Sequence, residues 1–322
     1  MNSINHYREE FLAHLRASVA VKEPRNLYDP IDYILQLGGK RLRPVLTLIA
    51  TDLFGGDYHK ALPAAAAVEV FHNFSLVHDD IMDNASLRRG KATVHQKWNS
   101  NIAILSGDAM LICAYRLLES YLPDTFAALA KLFSKTALEV CEGQQWDMDF
   151  ETQAQVSIPQ YLQMIRYKTA VLVGAALQMG AIIAGASVEN QRLIYDFGVT
   201  IGLAFQLQDD YLDTFGDEAF GKKIGGDILE NKKTILYLKA LDLADEAQRN
   251  TLIAQYTTSE ENDEKIAIVT QLFRQTGAAE AVRDEITRTT DEALNLLEHI
   301  TISDENRAYL KQFALELMNR KV

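Results

Sequence analysis

Residues 61–83, ALPAAAAVEVFHNFSLVHDDIMD, decide the fold that we predict. Pro63 lies near the start of this segment, and the run of alanines with few β-branched residues favours a helix. The segment ends on the acidic motif D-D-x-x-D, which Asp79, Asp80 and Asp83 form. Because residues four apart share one face of a helix, Asp79 and Asp83 project together.

The same motif recurs in FQLQDDYLDTFGD at residues 205–217, where Asp209, Asp210 and Asp213 form it. Apolar residues surround both motifs, and this argues against two solvated helix faces. Carboxylates gathered in an apolar setting repel one another unless cations lie between them. Hard oxygen ligands without cysteine suit Mg²⁺, which readily shares its coordination shell with phosphate oxygens. The two motifs therefore predict a Mg²⁺-bridged diphosphate site.

Helical periodicity dominates the rest of the chain. Further helices are predicted at residues 125–151, 159–186, 190–215 and 232–245, with loops at 84–93 and 216–231, and the C-terminal third continues helical. No alternating strand pattern is found. We predict an all-α helical bundle of about ten or more helices. Because no linker or low-complexity tract divides the sequence, residues 1–322 are expected to form a single domain.

Composition and charge narrow the class of protein. The chain has 322 residues, of which 48% are hydrophobic and 24% charged, and this is typical of a globular protein. The formal net charge of −12 disfavours binding to nucleic acid and to anionic membranes. Two cysteines do not make a disulfide framework, so a reducing compartment is expected. The N-terminus lacks the apolar region of a signal peptide, and a cytoplasmic enzyme is predicted.

One apolar run, TAVLVGAALQMGAIIAGAS at residues 169–187, is long enough to raise the question of a membrane span. Gln178 interrupts it and Lys168 directly precedes it. We therefore predict a helix of small residues that packs inside a bundle.

Four groups of basic residues lie at positions that suggest anion binding: Lys40 and Arg43 in GGKRLRP, Arg88-Arg89, Lys168-Thr169, and the pairs Lys222-Lys223 and Lys232-Lys233. The second and the fourth group follow the two acidic motifs within about one loop length. Each group alone is more often a solvated surface patch. Together they indicate two anion sites, one rich in Mg²⁺ beside the acidic motifs and one purely basic. The basic site would contain Lys40, Arg43 and Arg89, next to a helix N-terminus that also favours anions.

His72 precedes Asp79 by two helical turns on the same face. A lone histidine on such a helix is more often a hydrogen-bonded core residue. Its alignment with the acidic motif also allows it to donate to a bound anion, and both interpretations stay open at this point.

Seven motifs in order resemble those of the trans-isoprenyl diphosphate synthases, or polyprenyl synthetases. They are GGKRLRP (38–44), HNFSLVHDDIMDNASLRRG (72–90), GDAML (107–111), GQQWD (143–147), KTA (168–170), FQLQDDYLD (205–213) and GKKIGGDILENKKT (221–234). The resemblance implies the isoprenoid synthase fold, an all-α bundle around a deep central cavity. It also implies a homodimeric prenyltransferase without nucleic-acid partners or stable membrane insertion.

The resemblance implies a role for each matching residue. Three Mg²⁺ ions would be held by Asp79, Asp83 and Asp209, with Asp80 and Asp213 assisting. The catalytic set would be Asp79, Asp80, Asp83, Arg88, Lys168, Asp209, Asp210 and Asp213. The allylic diphosphate would bind Arg88, Lys168, Thr169, Gln206, Lys232 and one of Lys222 and Lys223. Isopentenyl diphosphate would bind Lys40, Arg43, His72 and Arg89. Gln144 and Asp147 resemble a pocket-lining pair, and Asp147 is expected to balance Lys168.

Phe74 and Ser75 precede the first acidic motif, where family members set the product length. One bulky and one small residue indicate a tunnel of intermediate depth, so we predict products of fifteen to twenty carbons, with a preference for twenty. A longer-chain synthase and a non-catalytic subunit of a heteromeric synthase remain alternatives. A terpene cyclase is disfavoured by the intact second motif. A di-iron bundle is disfavoured because no Glu-x-x-His pair lies near the acidic motifs.

Overall fold

The computed structural model describes residues 1–18, 21–216, 224–258 and 262–318. These residues form sixteen α-helices and one short hairpin. The helices are α1 (Ile4–Ser18), α2 (Arg25–Gln36), α3 (Leu42–Leu53), α4 (Leu62–Met82), α5 (Val94–Lys97), α6 (Ser100–Leu118), α7 (Pro123–Thr152), α8 (Ile158–Ile165), α9 (Val171–Ile183), α10 (Val188–Phe215), α11 (Gly226–Leu229), α12 (Ile235–Leu243), α13 (Glu246–Thr257), α14 (Asp263–Gln275), α15 (Ala278–Leu297) and α16 (Asp304–Met318). The all-α prediction is confirmed.

The chain divides into two compact units. Unit 1 comprises Met1–Lys135 and Ala175–Arg192, and unit 2 comprises Thr136–Gly174 and Leu193–Val322. The organisation of residues 1–322 as a single domain stays a prediction.

In unit 1, α4 packs mainly against α6 and α3. Its alanines from Ala64 to Ala67 are fully buried, and such small side chains allow neighbouring helices to approach closely. Gly107 of α6 makes one of these approaches, because a Cβ atom there would lie 2.2 Å from Nε2 of His78. This packing fixes the C-terminal end of α4, which carries the first acidic motif.

In unit 2, α12 packs against α15, α14 and α8. Their shared core includes Ile235, Leu236, Val269 and Phe273, all at most 1% exposed. Leu207 of α10 belongs to the same core. Helix α10, which carries the second acidic motif, is therefore anchored by its apolar face.

Residues 84–93, which we predicted to be a loop, contain a small antiparallel pair. Strand β1 (Leu87–Arg88) pairs with β2 (Lys91–Ala92) across Arg89 and Gly90. Both turn residues have positive φ, 52° and 73°, as a two-residue hairpin turn of the primed type requires. Strands of two residues are too short to give an alternating pattern, so the sequence did not reveal them.

The predicted helix at residues 159–186 is not continuous. It divides into α8, a π-helical turn (Arg166–Ala170) and α9. Gly143 of α7 lies against this turn, and a Cβ atom there would fall 2.2 Å from the backbone nitrogen of Lys168. π-Helical turns occur frequently at functional sites, and this one carries Lys168 and Thr169.

The other predicted elements agree with the structure to within a few residues. The predicted loop 216–231 contains the short helix α11 in its described part. Among the described residues, α6 is the one helix that is long and apolar enough to cross a membrane by length and composition alone. The apolar run that raised this question in the sequence forms α9, most of which is buried.

Candidate active site

A cavity of about 230 Å³ lies in unit 2. Polar residues from α7, α8, the π-helical turn, α10, α11 and the segment after α11 line it. Its charged lining residues are the carboxylates Asp147, Glu151, Asp209, Asp210, Asp213 and Asp227 and the lysines Lys168, Lys232 and Lys233. Six carboxylates against three lysines leave the cavity with an excess of negative charge, which favours added cations.

The second acidic motif forms one wall of this cavity, as its helical spacing predicted. Asp209 and Asp213 lie one turn apart on α10. Oδ2 of Asp213 accepts a hydrogen bond from the backbone nitrogen of Asp227 at 3.0 Å. Asp227 and Glu151 are thus two acidic residues of the site that the sequence did not reveal, although Asp227 stands inside the matched motif GKKIGGDILENKKT.

Asp210 is held by two protein donors. Oδ1 accepts a hydrogen bond from Nε2 of Gln206 at 2.9 Å, and Oδ2 accepts one from the hydroxyl of Tyr161. Burial, followed by the negative charge of Asp227, raises the pKa of Asp210 to about 7, against the opposing effect of both hydrogen bonds. The carboxylate therefore lies where additional positive charge would stabilise its ionised form.

Lys168 and Thr169 face this wall from the π-helical turn. Nζ of Lys168 lies 2.5 Å from Oδ2 of Asp147, so the expected balance between these two residues is confirmed. The hydroxyl of Thr169 donates to Oε1 of Gln206 at 3.3 Å. Gln144, the other member of the expected pocket-lining pair, is buried but does not line the cavity.

The two lysines of Lys232-Lys233 have different environments. Nζ of Lys232 lies 2.6 Å from Glu230 and 3.9 Å from Asp227. Burial opposes its charged form, but the hydrogen bond to Glu230 and the charge of Asp227 raise its pKa above the ordinary value. Lys232 therefore stays a cation beside the acidic wall.

Nζ of Lys233 donates instead to three backbone carbonyl oxygens at the end of α7. The acceptors are Phe150 at 2.6 Å, Gln153 at 2.7 Å and Glu151 at 3.2 Å. A lysine in this position satisfies carbonyl groups that a helix C-terminus leaves without partners. The sequence does not reveal this role, because the acceptors lie 80 or more residues away along the chain.

The first acidic motif ends α4 in unit 1. Asp80 is 1% exposed, and both of its oxygens accept hydrogen bonds from Nε of Arg88 at 2.9 Å. Nη2 of Arg88 lies 2.7 Å from the same carboxylate. Asp79 is partly buried and Asp83 is exposed. Arg88, which is only partly exposed, is therefore already paired with the second residue of the motif.

The predicted basic group gathers in unit 1. Nη1 of Arg89 donates to the carbonyl oxygen of Gly38. The guanidinium also lies against Gly39, where a Cβ atom would be 2.9 Å from its Cζ. Gly39 has a φ of 117°, so glycine is needed both for backbone conformation and for space. The structure thus joins the loop that carries Lys40 to the hairpin that carries Arg89.

His72 completes this group. Its Nε2 lies 3.2 Å from Nη1 of Arg43 and accepts the hydrogen bond. Burial, followed by the positive charges of Arg43 and Arg89, lowers the pKa of His72 well below its ordinary value. His72 is accordingly a neutral imidazole that orients Arg43.

Arg41, one residue from Lys40, is not a surface cation. It is 5% exposed and donates to Glu69 and to the carbonyl oxygen of Leu35. Asn73 donates to the same Glu69 carboxylate at 2.8 Å. This buried network holds the start of α3, where Lys40 and Arg43 lie.

Mg²⁺ fits the donors of both motifs by chemistry. Within the described ranges, no group of three or more histidine, cysteine, aspartate or glutamate residues is arranged to hold a metal ion. Mg²⁺ does not require such a cage, because it keeps several waters and binds through one or two carboxylates together with substrate phosphates. The carboxylate oxygens of each motif meet that requirement.

Phe74 and Ser75 lie on α4. Phe74 is 8% exposed and packs against Phe71 and His78, with ring centroids at 5.5 and 4.8 Å. The hydroxyl of Ser75 donates to the carbonyl oxygen of His72 at 2.9 Å. Phe74 is therefore fixed by neighbouring rings. Lys222 and Lys223 lie outside the described residues.

Comparison with known proteins gives a consistent result. Residues 24–273 match the family described as Polyprenyl synthetase. The short chain isoprenyl diphosphate synthase of Methanothermobacter thermautotrophicus is 36% identical, over 98% of both chains. The geranylgeranyl pyrophosphate synthase of Geoglobus acetivorans is 37% identical, over 93% of this chain and 92% of its own. A crystal structure of a geranylgeranyl pyrophosphate synthase is 54% identical with a TM-score of 0.96, and the match covers 100% of both chains.

Proposed function

The chain belongs to the polyprenyl synthetase family and is a prenyltransferase, and from this premise we propose that it joins isopentenyl diphosphate to an allylic diphosphate. The products would be all-trans prenyl diphosphates of fifteen to twenty carbons, with a preference for twenty. The observation that carries this proposal is the cavity of unit 2, where the second acidic motif lies with Lys168 and Lys232. The names of the relatives support a short-chain product.

Asp79, Asp83 and Asp209 are the proposed Mg²⁺ ligands, as the family resemblance implies, with Asp80 and Asp213 assisting. Bound Mg²⁺ supplies the electrostatic stabilisation of a departing diphosphate. Asp80 and Asp210 accept hydrogen bonds from protein donors on both oxygens. Those contacts support an indirect role for Asp80 and Asp210, in which they orient the site while other members of each motif hold the metal.

The allylic diphosphate is proposed to bind Arg88, Lys168, Thr169, Gln206 and Lys232, and one of Lys222 and Lys223. Lys168 and Lys232 each have a carboxylate partner within 2.6 Å. A diphosphate that enters the cavity can compete with these partners, because its oxygens also accept charge-assisted hydrogen bonds from ammonium groups.

Isopentenyl diphosphate is proposed to bind Lys40, Arg43, His72 and Arg89. The contact of Arg43 with neutral His72 supports this assignment, because it presets the direction of one guanidinium. Planar guanidinium groups match the oxygen geometry of a diphosphate.

In the proposed reaction, the cationic side chains stabilise charge that develops on the leaving diphosphate as the allylic C–O bond breaks. The double bond of isopentenyl diphosphate attacks the resulting carbocation, and the departing diphosphate accepts the proton that is then lost. The apolar tunnel that the family resemblance implies would exclude water, which would otherwise quench the cation.

Phe74 is the proposed floor of the product tunnel. Its buried ring, packed against Phe71 and His78, supports a rigid stop rather than a mobile one. The small Ser75 beside it leaves part of the tunnel open.

We further propose a cytoplasmic homodimer. Helix α6 exposes Ile104, Leu105 and Ile112 at 43%, 60% and 60%. Exposed apolar residues clustered on one helix favour contact with another protein surface, and a second copy is the partner that the family resemblance implies.

A product assay tests the function directly. Purified protein is incubated with Mg²⁺, labelled isopentenyl diphosphate and allylic primers of five, ten or fifteen carbons, and the dephosphorylated products are sized by chromatography. Linear alcohols of fifteen or twenty carbons that disappear with a chelator are the expected result. Much longer products would contradict the tunnel assignment. No elongation with any primer would contradict the synthase and favour a non-catalytic subunit.

A further inference from the structure

The second carboxylate of each acidic motif is turned towards a protein donor, but the two donors differ in charge. In unit 1, Asp80 is clamped by the guanidinium of Arg88. In unit 2, Asp210 is held by Gln206 at 2.9 Å and by the hydroxyl of Tyr161. In unit 2, a neutral amide and a hydroxyl thus hold the second carboxylate of the motif, whereas in unit 1 a guanidinium cation holds it.

Tyr161 is well suited to hold a carboxylate in one orientation. It is 2% exposed and lies on α8, beside the core residues Met164 and Ile165. A complete capping box between Ser157 and Gln160 fixes the first turn of this helix. Burial, followed by the charge of Asp210, raises the pKa of Tyr161 well above its ordinary value. Its hydroxyl therefore remains a donor under all ordinary conditions.

The position of Asp210 on α10 explains why such a donor is needed. Asp209 and Asp213 share a face because they are four residues apart, whereas Asp210 is rotated by about 100° from Asp209. Asp227 and Asp209 both add negative charge near Asp210. Without the hydroxyl of Tyr161, Gln206 would be the remaining hydrogen-bond donor to the Asp210 carboxylate among the described residues. Two neighbouring carboxylates would then repel a group that is held at one oxygen only.

We propose that Tyr161 is a positioning residue for the diphosphate site: its hydroxyl holds Asp210 so that Asp209 and Asp213 present their carboxylates to the cavity. This inference rests on the proposed function, since it concerns the same cavity. Tyr161 makes no contact with a reacting atom in this scheme. It acts through Asp210 and through the position of α10 relative to α8.

The test compares Tyr161→Phe with Tyr121→Phe. The control removes the hydroxyl of a tyrosine that donates to the carbonyl oxygen of Lys60 at 2.7 Å in unit 1. Binding of inorganic diphosphate with Mg²⁺ is measured by calorimetry, and the Mg²⁺ concentration for half-maximal activity and both KM values are measured by the product assay. For Tyr161→Phe we expect about tenfold weaker diphosphate binding and a raised Mg²⁺ requirement, as is typical when a residue that orients the groups of a metal site is removed. The KM for isopentenyl diphosphate should not change.

Asp210→Asn, alone and combined with Tyr161→Phe, tests whether the two residues act through their contact. Diphosphate binding that is no weaker in the double variant than in Asp210→Asn would support the proposal. Independent, additive losses of diphosphate binding, or wild-type binding by folded Tyr161→Phe, would overturn it. A general loss of thermal stability without a change in Mg²⁺ requirement would also overturn it, because that is the signature of a structural role alone.

Different results would contradict the proposed function and the proposed role of Tyr161. Wild-type protein that neither elongates a primer nor binds diphosphate with Mg²⁺ would contradict the function. Wild-type protein that does both, while Tyr161→Phe behaves as Tyr121→Phe does, would contradict only the role of Tyr161.

Discussion

Nζ of Lys168 lies 2.5 Å from Oδ2 of Asp147, so a cation of the π-helical turn is paired with a carboxylate of α7. Gly143, one turn earlier on α7, allows this approach because it leaves room for the backbone of Lys168. The ion pair holds Lys168 in the cavity before any anion binds.

Asp147→Asn should therefore weaken binding of the allylic primer more than it lowers the stability of the fold. The two side chains are 28% and 30% exposed, so we expect a loss of about 1 kcal/mol or less in unfolding free energy. Without its partner, Lys168 is less well positioned, and the KM for the allylic primer should rise by about fivefold, which corresponds to about 1 kcal/mol. Thermal unfolding and steady-state kinetics with each substrate measure the two effects.

Asp149→Asn is the matched control on the same helix, because Asp149 accepts from Gln145 at 2.8 Å outside the cavity lining. Equal KM values for Asp147→Asn and Asp149→Asn would show that the pair does not position Lys168.

Lys233→Met should mainly lower stability, whereas Lys232→Met should mainly lower activity. Lys233 satisfies three carbonyl groups at the end of α7, so its loss is expected to lower the unfolding free energy by about 2 kcal/mol. Lys232 has a side chain that is 44% exposed, so its replacement should leave stability nearly unchanged and lower kcat/KM for the allylic primer. Chemical denaturation and kinetics on both variants check this contrast. A loss of stability in Lys232→Met together with a loss of activity alone in Lys233→Met would contradict both assigned roles.

Phe74→Ala should lengthen the products. Removing a ring that is 8% exposed opens space along α4, and we expect a substantial fraction of chains beyond twenty carbons. The same change should cost about 3–4 kcal/mol of stability, so Phe74→Leu, with a smaller penalty, is measured in parallel. Chromatography of the products is the readout.

Phe273→Leu, in the core of unit 2, serves as the control for a general loss of packing. An unchanged product distribution in both Phe74 variants would remove Phe74 from the tunnel floor.

The double substitution Leu105→Lys and Ile112→Lys should convert the proposed dimer to a monomer. Charges on these exposed positions of α6 would be buried without partners in an interface, which is strongly unfavourable. Sedimentation velocity of the variant and of wild type measures the mass. Leu243→Lys, at a residue that is 51% exposed on α12, is the control and should leave the mass unchanged. A wild-type monomer would contradict the homodimer itself.

Much of the architecture could be predicted because it depends on local sequence. Long helices follow from their periodicity, as α4, α7 and α10 illustrate. The hairpin at Arg89-Gly90 and the π-helical turn at Lys168 could not be predicted in this way. The hairpin is too short to have a period, and the π-helical turn lies within a segment whose composition is that of an ordinary helix.

The sequence by itself determined which chemical groups the site contains. The four-residue spacing of Asp79 and Asp83, and of Asp209 and Asp213, puts each pair on one helix face whatever surrounds it. The order of motifs determined the family. These conclusions need only local geometry and the identity of side chains.

Only the tertiary structure decided how those groups are held. Tyr161 reaches Asp210 across 49 residues of sequence, and Lys233 reaches the end of α7 across 80 residues or more. Arg41 is buried against Glu69 whereas Arg89, an equal cation in the sequence, lies beside Gly39. Each of these partners is set by the packing of distant helices, and a hydrogen bond forms only where that packing brings donor and acceptor within about 3 Å.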